Sequence, residues 1–206
     1  FPSLYRLIYR KYLWRTDEIS LPDKFVFIPL QVRHDTQVLV NSRGIDSMEK
    51  LVRLCYYAVK NAAPDYKIVV KEHPQEVGSA SYLDLRKKYP DIIWIKKYGI
   101  KRILNKTALI MTINSTIGME ALIYHKPVIV LGEHFCNIRE ILYNVKDLER
   151  LEEYIQKSLT TPVNTDLVDK FLYYLKFEYL VEGDWKGRGV EKVVDRIEKE
   201  AMHSSA

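Results

Sequence analysis

The sequence predicts an α/β domain: a Rossmann-like parallel sheet of about five strands with flanking helices and a helical C-terminal extension. Two observations carry this reading. Five short runs are apolar throughout rather than alternating: "FVFIPL" at 25–30, "YKIVVKE" at 66–72, "IIWI" at 92–95, "ALIMTI" at 108–113 and "PVIVL" at 127–131. Strands covered on both faces look like this. Segments of helical length and period separate the runs, and strand–helix alternation implies parallel strands joined by crossover helices. With 206 residues, 47% of them hydrophobic, the chain has the material for one good core.

Taken in order, Phe1 to Trp14 reads as a helix, and residues 1–20 as an interdomain or packing helix ahead of a single domain spanning 21–206. After the first strand, Asp46 to Asn61 carries an Asp46/Glu49 capping box and apolar Met48, Leu51, Val52, Cys55 and Val59 at helical spacing, which makes it an amphipathic crossover helix. Ser79 to Tyr89, Ile100 to Lys106 and Thr116 to Tyr124 supply the later crossovers. Beyond the last strand the pattern turns helical, at Asp147 to Leu159, Asp166 to Leu180 and Val190 to Met202, with no repeat and no internal boundary. Because it starts at Phe1 rather than Met, the chain reads as a fragment.

A formal charge of +5 and a pI near 9.0 favour anionic partners such as nucleotides, phosphorylated lipids or an anionic membrane surface. Nucleic acid is set aside, because there is no zinc-finger spacing, RNP signature or uniform basic tract. The apolar runs fall far short of the roughly 18 residues a membrane span needs. Cys55 and Cys136 lack metal or redox spacing, so the expectation is a cytoplasmic setting with no metal and no cofactor. The helix at 1–14 mixes Arg6, Arg10, Lys11 and Arg15 with Leu4, Leu7, Ile8, Tyr12 and Trp14. It suits packing against a neighbouring domain, and is compatible with a peripheral place on an anionic membrane.

In an open parallel sheet ligands bind at the carboxyl ends of the strands, so the loops after 30, 72 and 113 belong together. They read "QVRHDTQ", "KEHPQE" and "NSTIGMEAL". In the second, a strand delivers Lys71, Glu72 and His73 to the edge, and Pro74 ends the ladder and restricts His73. A pinned imidazole suits a phosphate or a base, and a solvated strand end with a turn proline fits the same residues. In the third, Asn114, Ser115 and Thr116 run straight into a helix, whose open N–H groups and hydroxyls suit an anion. Gly118 lets a ligand or a strand approach closely, and Glu120 lies one turn beyond Thr116, placed to accept from ribose hydroxyls. An ordinary Thr116 cap with Glu120 complementing the helix dipole is the alternative. His125 reads as a surface residue. His134 and Cys136 are placed to line the site but fall short of a zinc set.

Together these segments resemble the capsule polysaccharide biosynthesis family: Pro29 to Gln31 with Asp35 to Gln37, then Lys71 to Pro74, Asn114 to Leu122, and Lys126 to Gly132. "YLVEGDWKGRG" near the C-terminus is a weaker likeness. The resemblance implies one half of a GT-B glycosyltransferase fold. It implies a CMP-sugar donor, CMP-Kdo above others, a lipid-linked saccharide acceptor, and an N-terminal acceptor domain that this chain lacks. By it, His73, Ser115 and Thr116 bind the CMP phosphate, Glu120 sits near the ribose, and Lys71 adds charge. Asp35, just past the first strand, would face the anomeric carbon as nucleophile or base, whereas without the resemblance it is a loop carboxylate capping Gln37. Gln31 is placed to orient donor or acceptor. Two other readings stay open, a teichoic-acid-type nucleotide-alditol phosphotransferase and a non-catalytic nucleotide-binding α/β module.

Overall fold

The computed structural model describes residues 19–32, 36–76, 80–136, 138–183, 187 and 189–203. The helix expected at 1–14 and Asp35 lie outside them, as do Asp184, Trp185, Lys186 and Arg188 of "YLVEGDWKGRG". By contacts the chain divides into two compact units, one ending at Asn164 and the other beginning at Thr165. The sequence drew no boundary there, since an amphipathic helix does not say which core it joins.

The first unit holds a six-stranded parallel sheet, one strand more than expected, in the order β3-β2-β1-β4-β5-β6. The strands are β1 (Phe25–Pro29), β2 (Lys67–Lys71), β3 (Ile93–Ile95), β4 (Leu109–Thr112), β5 (Val128–Val130) and β6 (Tyr143–Asn144). β1 to β5 are the five apolar runs, trimmed at their ends. β6 escaped notice because two half-buried residues make no hydrophobic pattern; only pairing with Ile129 and Val130 of β5 defines it. β1 is buried along its whole length, as a central strand covered on both faces must be.

Between β1 and β2 stand two helices, α1 (Thr36–Asn41) and α2 (Met48–Ala62). α1 lies where the sequence suggested a loop continuing through Gln37; six residues give too little periodicity to announce a helix. α2 buries Met48, Leu51, Val52, Cys55, Ala58 and Val59, the expected stripe. Its cap differs from the expected one. Ser47, with extended backbone, accepts from the Lys50 N–H at 3.2 Å, and Glu49 pairs across to Lys88 at 3.3 Å instead of closing a capping box with Asp46. Burial of Met48 as first helical residue moves the cap to the residue just before it. The later crossovers are α3 (Ala80–Lys88), α4 (Ile100–Lys106) and α5 (Ile117–Leu122), and α6 (Leu151–Thr160) follows β6.

The second unit contains α7 (Thr165–Tyr174), a π-helical turn at Leu175–Tyr179 and α8 (Val190–His203). The expected Asp166–Leu180 helix therefore changes winding after Tyr174. Gly189, at φ 82°, lies so close to the Glu182 carbonyl that a Cβ could not be accommodated. Among the described residues no helix is long and apolar enough to cross a membrane.

Candidate functional site

Three loops are brought to one edge by the register of the sheet. Pro29 pairs with Lys71, and Thr112 with Val130, so β1, β2, β4 and β5 end at a common level. The ladder runs one bond further at each end: Leu30 N–H donates to the Lys71 carbonyl and Leu131 N–H to that of Thr112, both at 2.9 Å. The loops after β2 and β4 flank β1, two strand spacings or about 10 Å apart.

Between them, Gln31 and Asn114 are joined by their amides. Gln31 Nε2 donates to Asn114 Oδ1 at 3.0 Å, and the Asn114 N–H donates to Gln31 Oε1 at 3.4 Å. Gln31 is buried, and its own N–H meets the Met48 sulfur at 3.3 Å. It acts as a clamp that fixes the β1 end to the β4 end.

At the end of β2, Lys71 Nζ donates to the Lys96 carbonyl at 3.2 Å, tying its charge to the β2–β3 seam. His73 is half-buried and its Nδ1 accepts from the Gln75 N–H at 3.3 Å, which leaves the ring proton on Nε2. The exposed Pro74 opens a turn that the Glu76 N–H closes on the His73 carbonyl at 2.9 Å. What holds this strand end is Glu72, to which the sequence assigned a place at the edge but no role. Its carboxylate is 1% exposed and receives Arg86 Nη2 at 2.6 Å and Nε at 3.1 Å. Arg86 in turn lies 5.6 Å from the Trp94 ring centre. A charged residue at a strand end followed 14 residues later by an arginine in a helix is the sole signal, and it is faint.

At the end of β4, the Ser115 N–H donates to Thr112 Oγ1 and the Ile117 N–H to Ser115 Oγ, each at 3.3 Å. Ser115 thus does the capping expected of Thr116. Thr116 has helical backbone (φ −59°, ψ −19°), makes no side-chain capping bond and is exposed. Gly118 is buried, and a Cβ there would meet Val128 Cγ1 at 3.3 Å and Thr112 Cγ2 at 3.5 Å. Close approach at Gly118 is therefore by the strands. Glu120 is exposed on α5.

The loop after β5 reaches the same edge. A Cβ on Gly132 would collide with the Asn41 carbonyl oxygen and with Ile113 Cγ2 at 2.8 Å, so only glycine fits. The Glu133 N–H donates to the Asn41 carbonyl at 2.7 Å, and its carboxylate receives Arg43 Nε at 2.7 Å. His134 is buried, and burial pushes its pKa down. Its Nδ1 lies 3.1 Å from the Cys136 N and 3.2 Å from the Cys136 carbonyl oxygen, and its buried Nε2 meets no partner among the described residues. Burial also pushes the Cys55 and Cys136 thiols up, the environment of inert cysteines. Half-buried His125 has a left-handed backbone (φ 51°) in the turn before β5. Among the described residues no three His, Cys, Asp or Glu side chains gather as metal ligands.

The edge as a whole gathers the His73 imidazole and the hydroxyls of Ser115 and Thr116 beside a buried amide clamp. Such a set suits a phosphate ester. A family model described as "Capsule polysaccharide biosynthesis protein" matches residues 14–175. Protein FixF of Sinorhizobium fredii is 32% identical over 170 residues, 81% of this chain and 40% of that protein. Capsule polysaccharide export protein KpsS of Escherichia coli is 28% identical over 148 residues, 68% of this chain and 38% of its own length. The chain spans about two fifths of the length of these relatives. Among solved structures, the β-Kdo 2,4 transferase of Thermosulfurimonas dismutans KpsC superposes with TM-score 0.51 at 25% identity, covering 68% of this chain and 46% of that one. The UDP-GlcNAc 2-epimerase of Methanocaldococcus jannaschii gives TM-score 0.51 at 17% identity over 82% of this chain and 48% of its own, a likeness of fold.

Proposed function

Because this chain belongs to the capsule polysaccharide biosynthesis family, we propose that it is the donor-binding half of a glycosyltransferase using a CMP-activated sugar, CMP-Kdo above others, in bacterial surface polysaccharide synthesis. The observation that supports the reading is the shared strand edge: the Gln31–Asn114 clamp ties the end of β1 to that of β4, and the Leu30–Lys71 bond ties it to that of β2, so the His73 loop and the Ser115–Thr116 turn flank the end of β1. A β-Kdo transferase among the similar structures supports the choice of donor.

In this reading the His73 imidazole and the hydroxyls of Ser115 and Thr116 bind the CMP phosphate, and Glu120 accepts from the ribose. Asp35, outside the described residues but immediately before α1, supplies the carboxylate. As a nucleophile it would form a bond to the anomeric carbon while the bond to the phosphate oxygen breaks and CMP departs. An acceptor hydroxyl would then displace it, losing its proton. As a base it would take that proton in a single displacement. Either way the groups around the phosphate stabilise charge that grows on the leaving oxygen. The acceptor, a lipid-linked saccharide, would be held by the rest of a longer protein, cytoplasmic and peripheral at the inner membrane.

Calorimetry of the full-length protein with CMP, UMP, GMP and AMP tests the donor. CMP is expected to bind best; equal binding of all four, or none, rejects the assignment. Asp35→Asn in the full-length protein is expected to abolish transfer while leaving CMP affinity unchanged or slightly improved, because a carboxylate near the donor's own anionic groups opposes ground-state binding. Near-normal turnover would remove Asp35 from the chemistry.

A further inference from the structure

We propose that the ring of Phe135 is the platform on which the glycosyl ring of the donor packs, so that the loop after β5 contacts the sugar while the loops after β2 and β4 hold the nucleotide. The inference rests on the nucleotide-sugar reading above.

A lone exposed apolar side chain is ordinary on a protein surface. Phe135, 68% exposed, differs in how it is fixed. It stacks on the buried His134 ring at 4.6 Å between centroids and 27° between planes. That imidazole is itself pinned by the Cys136 N–H on Nδ1 at 3.1 Å. Two residues earlier, Gly132 is pressed against the Asn41 carbonyl and Ile113 so closely that no side chain fits. The Glu133 N–H is bonded to the same Asn41 carbonyl, and its carboxylate is paired with Arg43. The loop is thus restrained on both sides of Phe135, and one ring face is already taken by His134. An immobilised ring loses little entropy when a second ring packs on it.

Position selects the sugar over the base. The phosphate groups of the site lie at β2 and β4, and Phe135 follows β5, the next strand outward. Its loop is bonded through Glu133 to the last residue of α1, the helix whose first residue follows Asp35. An apolar face of C–H groups, which pyranose rings carry and phosphates lack, is the chemistry an aromatic platform takes.

Two probes separate the contributions: CMP, and a hydrolysis-resistant analogue of CMP-Kdo in which a methylene replaces the oxygen between sugar and phosphorus, titrated into the full-length protein. Phe135→Ala should bind the analogue about tenfold more weakly and CMP unchanged, with Phe135→Trp restoring the analogue's affinity and the melting temperature unmoved. Equal weakening toward both probes would place the ring against the nucleoside and overturn the proposal. Unchanged affinity for both would make Phe135 plain surface. Should the wild-type protein bind neither probe, the nucleotide-sugar reading fails first, a result that the wild-type titration alone reveals.

Discussion

At the end of β2 the chain is held by an ion pair made across 14 residues; at the end of β4 it is held by a turn whose bonds span two or three. The first places a carboxylate, Glu72, almost wholly out of water and neutralises it with Arg86, an arrangement that is costly to break from one side. The second uses Ser115 and Thr112 to satisfy neighbouring N–H groups, each bond contributing about 1 kcal/mol. The β2 end needs the stronger hold because His73 projects into a turn beyond the last ladder bond. The β4 end passes directly into α5, where helix packing does the same work. Rigidity at one sheet edge is reached by two routes, and only the local one is visible in consecutive residues.

The largest effect should come from breaking the long-range pair. Arg86→Met removes the guanidinium that neutralises a buried carboxylate, and is expected to destabilise the domain by about 3–5 kcal/mol, read as a lower urea midpoint. A loss below 1 kcal/mol would mean that Glu72 is as well served by its other surroundings, and that the two strand ends are held alike. Phosphate binding should fall as well in Arg86→Met, because His73 follows Glu72 directly.

At the β4 end, structure and binding should separate between neighbours. Ser115→Ala removes the acceptor for the Ile117 N–H and is expected to cost about 1 kcal/mol of stability. Thr116→Val removes a hydroxyl that caps nothing, so the melting temperature should hold. CMP affinity should drop by about ten- to a hundredfold, the loss of one hydrogen bond to a charged group. If Thr116→Val melts early and Ser115→Ala does not, the capping roles are the reverse of those described.

What could be read beforehand follows the same divide. The five long strands announce themselves because central parallel strands are apolar throughout, and the α2 stripe because its period is helical. β6 and α1 carry too few residues for any period, and their existence is decided by pairing with β5 and burial of Val38. The loops carrying His73, Ser115 and Thr116 were found because strand ends in such sheets gather at one edge. The role of Glu72 escaped because a buried salt bridge depends on a partner in another element. Likewise the cap at Ser47 and the cap at Ser115 were each placed one residue off, since Asp46 and Thr116 are equally able cap formers and only the packing of the first helical turn chooses.

The smallest effect concerns Gly118, for which the sequence allowed either a ligand or a strand as its close neighbour. The structure puts Val128 Cγ1 and Thr112 Cγ2 there, at 3.3 and 3.5 Å from where a Cβ would stand. Ala in place of Gly gains about 1 kcal/mol of helix propensity, and the tighter of these contacts asks Val128 to shift by a few tenths of an ångström at comparable cost. Gly118→Ala should therefore change stability by less than about 1 kcal/mol. It should also leave CMP affinity where it was, because the new methyl faces β4 and β5 instead of the open edge. Calorimetric titration alongside denaturant unfolding checks both. A tenfold fall in CMP affinity at unchanged stability would show that a ligand passes over Gly118 after all, and would shift the phosphate from the Ser115–Thr116 turn toward the body of α5.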